Sequence, residues 1–167
     1  GMLAQLKSKI YIPGPALKMN GPEPFLLANH LAGPSYVSME TALSHWRIIP
    51  ERVYEISSAT TGRSKIYSTA VGRYSYTRLP LPYFSFGQVS IEIATRQVAI
   101  IATAEKALCD KVVATAGLLF RSTKHVKPWL LNDMRMDRDE LRKLRPAIIS
   151  GWLPDAPKKE SLEWLVK

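Results

Sequence analysis

The chain has 167 residues, 46% of them hydrophobic and 22% charged, which suits one soluble-type domain with a real core, or one domain with a small appendage. Twenty-three Lys and Arg against 14 Asp and Glu give a net charge of +9, a balance that favours anionic partners. No apolar run reaches the roughly 18 residues of a membrane span, and no secretory leader pattern precedes the first prolines. The one cysteine, Cys109, has no partner for an intramolecular disulfide, so a cytoplasmic setting is expected. Gly1 ahead of Met2 reads as a cloning remnant.

In chain order, Leu6–Pro13 alternates as one strand that Pro13, Gly14 and Pro15 stop. Phe25–Leu31 is a short apolar helix with prolines at its start and Gly33-Pro34 at its end. Residues 1–34 carry too little apolar material to fold alone and form an N-terminal arm; residues 35–167 form the main α+β domain. Ser38 is placed to cap a helix whose Met39, Ala42, Leu43 and Trp46 share one face. His45, beside that face, has no visible catalytic partner and reads as a partly buried, hydrogen-bonded histidine.

Three strands follow, Val53–Ser58, Ser64–Thr69 and Arg73–Arg78, separated by turns at Thr60-Thr61-Gly62 and Val71-Gly72. Short glycine turns make a meander the simplest topology. Tyr74 and Tyr76 fall on one face of the third strand, Arg73, Ser75 and Thr77 on the other. This stretch holds the densest one-signed charge in the chain: Arg52, Arg63, Lys65, Arg73 and Arg78 against Glu55. Basic residues interleaved with tyrosines can bind nucleic acid through charge and stacking. The alternative is a sheet whose tyrosines pack inward and whose arginines face water. Gly62-Arg63-Ser64-Lys65 lacks Walker-type spacing.

Val89, Ile91 and Ile93 alternate with Gln88, Ser90 and Glu92 as a half-buried strand, and Val98–Ala102 is a continuous apolar strand expected at the centre of the sheet. Thr103 caps the next helix, whose stripe is Ala104, Leu108, Val112 and Ala116. Its opening, Ala102-Thr-Ala-Glu-Lys-Ala-Leu-Cys-Asp110, is the sharpest local pattern. Glu105, Lys106 and Asp110 suggest metal-dependent nuclease chemistry, but Glu105 and Asp110, five residues apart, sit about 140° around a helix and do not converge. Cys109 could be a nucleophile, yet between Leu108 and Asp110 on an apolar face it reads as a small buried residue. Asp137-Arg-Asp-Glu140 opens a further helix through Leu141, Leu144 and Ile148 to Gly151, and a last helix carries Leu162, Trp164, Leu165 and Val166. The fold class is therefore α+β: a mainly antiparallel sheet of about five strands flanked by helices, with a helical C-terminal third.

The ordered set Tyr36-Val-Ser-Met-Glu-Thr-Ala-Leu43, Ile49-Pro-Glu-Arg-Val-Tyr54, Thr60-Thr-Gly-Arg-Ser-Lys65, Gly72-Arg-Tyr-Ser-Tyr76 and Ala102–Asp110 resembles the AbiEi family of antitoxins and transcriptional regulators. These act in type IV toxin–antitoxin (abortive infection) systems. The resemblance spans roughly residues 30–120. It implies a non-catalytic bacterial cytoplasmic protein, an AbiEii-like nucleotidyltransferase toxin as functional partner, operator DNA as ligand, and no cofactor or metal. Family members pair an N-terminal winged helix, which binds DNA, with a C-terminal toxin-neutralising domain. Before Tyr36 there is no room for a complete winged helix; Leu6–Pro13 resembles only its last wing strand. Arg52, Arg63, Lys65, Arg73 and Arg78 are the candidate contacts to nucleic acid or partner. A nuclease-like or nucleotide-handling enzyme is the alternative.

Overall fold

In the computed structural model, which describes all 167 residues, the chain begins with a hairpin. Strands β1 (Leu3–Lys7) and β2 (Ile10–Pro13) pair antiparallel around a turn in which Lys9 takes φ +67°. The single strand expected at Leu6–Pro13 is therefore two, because Ser8-Lys9 supplies a turn that carries no glycine or proline signal. Helix α1 (Pro24–Leu31) follows, with Pro24 at its first turn, and buries Leu27, Ala28 and Leu31. These three residues belong to the same core as the rest of the chain.

Strand β3 (Ser35–Val37) leads directly into α2 (Met39–His45). Then come β4 (Glu55–Thr60), β5 (Lys65–Thr69), β6 (Gly72–Arg78), β7 (Gln88–Ala94) and β8 (Gln97–Ala102). The main sheet has six strands in the order β5-β6-β4-β3-β8-β7. Three of its five pairings are antiparallel; β4–β6 and β3–β8 are parallel. The expected meander does not form. The second strand of the trio, β5, lies at the edge, and β6 folds back between it and β4. The burial pattern explains this order. β6 buries Tyr74 and Tyr76, whereas β5 has no buried residue and exposes Lys65, Ile66 and Ser68, so β6 takes the inner position.

β3 went unforeseen in the sequence because three residues are too few to show a period of two. It is nonetheless central and wholly buried. Tyr36 opposes Ala59 on one face of the sheet, while Val37 opposes Ser58 on the other. The Val37 face continues through Ile101 of β8 and, via Ser58, to Tyr76 of β6. Here Tyr76 Oη donates to the Ala28 carbonyl of α1 at 2.5 Å. The Tyr36 face meets the helices that follow β8.

Those helices are α3 (Ala104–Ala114), α4 (Thr123–Pro128), α5 (Arg138–Lys143), α6 (Pro146–Trp152) and α7 (Lys159–Leu165), with a π-helical turn at Trp129–Asp133. Thr103 caps α3 as expected, its hydroxyl accepting from Lys106 N at 3.2 Å. Asp137 caps α5 through the amides of Asp139 and Glu140. The helix expected from Asp137 to Gly151 is broken, since Pro146 lacks an amide donor and restarts the chain as α6. α3 packs against α2, α6 and α7.

Candidate functional site

The five basic residues singled out by charge density do not form one face. In β6, Arg73 pairs across from Glu55 and Arg78 from Thr60, at opposite ends of the strand pair. Five residues at about 3.3 Å each put roughly 17 Å between those ends. Odd and even positions also point to opposite faces, which separates Arg73 from Arg78 further. The Arg73 guanidinium is held by Glu55 at 2.5 Å. Arg52 sits before β4 with its guanidinium 5.8 Å from the Tyr54 ring centre.

Arg63, Lys65 and Arg78 do come together. The Arg78 amide donates to Ser64 Oγ at 3.0 Å, and Lys65 pairs with Tyr76 across β5–β6. All three side chains are exposed at one corner of the sheet edge. None has a carboxylate within ion-pair distance, although eight other cations of the chain do. Tyr74 and Tyr76 pack inward, and burial raises both phenols above the usual tyrosine value. Tyr67 is partly covered; Lys7 Nζ donates to its hydroxyl at 3.0 Å and lowers its pKa. The sheet tyrosines therefore offer no stacking platform.

Arg52 instead borders a cleft of about 470 Å³ beyond the other end of β4, lined also by Glu40, Glu51, Glu55 and Asp133. Three of these acids are already paired, Glu40 with Lys111, Glu51 with Arg135 and Glu55 with Arg73. No three acidic, histidine or cysteine side chains converge as a ligand set.

The chemistry-bearing group that sequence density missed is buried. Lys106 Nζ donates to Asp110 Oδ1 at 2.7 Å within α3, and both side chains are fully enclosed. Asp110 Oδ2 accepts from Tyr36 Oη at 2.8 Å and Ser38 Oγ at 2.7 Å. The Lys106 ammonium also lies 3.2 Å from the centre of the Tyr83 ring. Burial lowers the Lys106 pKa, and the Asp110 charge opposes that shift. Burial raises the Tyr36 phenol far above its ordinary value, and Asp110 adds to the rise. The group thus ties β3, the start of α2 and α3 to one carboxylate, and the loop after β6 to the Lys106 ammonium. It presents nothing to solvent, so its chemistry here is structural.

Ser38 was expected to cap α2. Its side chain makes no cap bond, because the hydroxyl is committed to Asp110. Glu105 and Asp110 point to different partners: Glu105 Oε1 accepts from the Arg145 amide at 3.1 Å. Cys109 is fully buried, and burial pushes its thiol well above the usual range, which leaves it unreactive. His45 is exposed rather than hydrogen-bonded, its ring edge-on to Phe25 at 5.7 Å and to Trp46 at 4.8 Å. Compared with protein-family models, curated proteins and solved structures, the chain matches none.

Proposed function

We propose that this chain is a non-catalytic binding protein, an antitoxin-type regulator of a type IV toxin–antitoxin system. It meets an anionic partner at the corner formed by Arg63, Lys65 and Arg78. The family reading rests on the ordered motifs between Tyr36 and Asp110. The observation that carries the binding surface is the grouping of three exposed cations without carboxylate partners at one corner of the sheet edge. Counterion release makes such a corner attractive to a polyanion, and the same charge steers an acidic protein surface. The partners that fit are operator DNA and an acidic face of an AbiEii-like nucleotidyltransferase toxin.

The test titrates the full chain against a duplex from its own upstream region, and against the product of the adjacent gene, at low and at physiological salt. Binding to one of them, weakening with salt, is expected, and the charge-reversed variant Arg63→Glu/Lys65→Glu/Arg78→Glu should lose roughly tenfold or more. Arg52→Glu, at the far end of β4, should change binding much less. Equal binding by the triple variant and the wild type to both partners overturns the reading.

A further inference from the structure

A second surface lies in the helical third. Lys127, Leu130 and Leu131 are spaced i, i+3, i+4 across α4 and the π-helical turn, and Arg138, Leu141 and Arg142 repeat that spacing on α5. Residues so spaced share a helix face. The two faces together line a groove of about 410 Å³, and these six residues are all that line it. The leucines are half-buried and the cations exposed.

The walls are held in place from beneath. Trp129 and Met136 are buried, Met136 N donates to the Leu130 carbonyl at 2.9 Å, and Asp137 N donates to the Ile48 carbonyl at 2.8 Å. The nearby acids are turned elsewhere: Asp133 borders the cleft beside Arg52, Glu140 pairs with Lys143, and Asp137 caps α5. Only Asp139 reaches a groove cation, Arg142 at 3.1 Å, and both are largely exposed. Lys127 and Arg138 have no acidic partner.

We propose that this groove docks an acidic amphipathic segment of a partner protein, a helix or turn whose leucine-like side chains enter between the leucines while its carboxylates meet the cationic rims. Charge complementarity selects that occupant. A nucleic acid has no use for a leucine floor, and no aromatic ring lines the groove for a base to stack on. A bilayer takes up apolar side chains that project, and these leucines are half-buried. The inference stands apart from the sheet-corner reading, since it uses none of the same residues.

The experiment measures fluorescence anisotropy of a fluorescein-labelled synthetic helical peptide, with leucines at i, i+4 and glutamates elsewhere, titrated with the full chain. Saturable binding is expected. Lys127→Glu/Arg138→Glu, both at exposed positions and verified by circular dichroism, should weaken it roughly tenfold or more. Arg63→Glu/Lys65→Glu should weaken it far less than the groove variant does, which separates this site from the sheet corner. A control peptide with serine in place of leucine should bind at least about tenfold more weakly. Equal binding of the serine peptide overturns the proposal, as does equal binding by the groove variant. Displacement of the leucine peptide by vesicles of anionic phospholipid would assign the groove to membrane and also overturn it.

Discussion

Lys106 Nζ sits 2.7 Å from Asp110 Oδ1, one turn along α3, and neither side chain has any exposed surface. The pair is isolated from water by Tyr36 and Tyr83, whose rings lie 5.8 and 3.2 Å from the ammonium. A buried ion pair is weak evidence of net stabilisation, yet removing one member strands the other as an unpaired charge.

Asp110→Leu should therefore destabilise the fold by about 3–5 kcal/mol, and Lys106→Met by a similar amount, since Asp110 would keep only two neutral donors. The double variant Lys106→Met/Asp110→Leu should recover much of either loss. Chemical denaturation of the three variants checks this. Additive losses in the double variant would show that the pair is not coupled.

Gly87 occupies φ +62°, and a Cβ there would come within 2.7 Å of Lys106 Cβ and 2.8 Å of the Trp152 ring. Both neighbours are held, Lys106 by Asp110 and Trp152 by stacking on Phe86 at 6.4 Å. Gly87→Ala should cost about 1–3 kcal/mol through strain and overpacking, and should alter the near-ultraviolet signal of Trp152. An unchanged melting temperature would refute the close approach.

Asn29 of α1 replaces a missing strand neighbour. Its Oδ1 accepts from Ile100 N at 2.7 Å and its Nδ2 donates to Ile100 O at 3.1 Å, beside the point where the short β3 stops pairing with β8. Asn29→Ala should cost about 1–2 kcal/mol and raise the hydrogen-exchange rate of the Ile100 amide. Unaltered exchange at Ile100 would contradict this role.

Alkaline conditions should unfold the protein early. Burial raises the pKa of Cys109 above its ordinary 9.0 and of Tyr36, Tyr74, Tyr76 and Tyr83 above 10.0. Each stays protonated in the fold while the unfolded chain releases its proton, so stability falls as pH rises past those values. The lowered values of Lys106, Lys158 and Tyr67 act in the opposite sense. More protons, from more deeply buried groups, stand on the destabilising side. The expected slope above pH 10 is on the order of 1–3 kcal/mol per pH unit. Urea midpoints at pH 8, 10 and 11 check it; a flat profile would contradict the burial of these groups.

Much of the secondary structure was legible. Alternation marked β7 through Val89 and Ile91, and side-chain chemistry marked the caps at Thr103 and Asp137. Pairing was not legible, because nothing local says that β4 prefers β6 as a parallel neighbour over the next strand in the chain. The candidate surface was read from sequence density, which does not register that strand length carries Arg73 away from Arg78. Lys106 and Asp110 stand four residues apart in the sequence, but their enclosure comes from Tyr36 and Tyr83, which are distant in sequence. Ser38 shows the same limit: a serine before a helix looks like a cap until a carboxylate 72 residues on takes its hydroxyl.

Because β5 is second in its trio yet outermost in space, the segment bearing Arg63 and Lys65 hangs from the frame along a single border. The bends on either side of it, at Thr61–Ser64 and at Ala70-Val71, are exposed or nearly so. Exposed bends tolerate insertion and exchange far better than core strands do. Substitutions can thus rewrite the composition and reach of this border while Tyr74, Tyr76 and the carboxylate at Asp110 keep the same scaffold beneath.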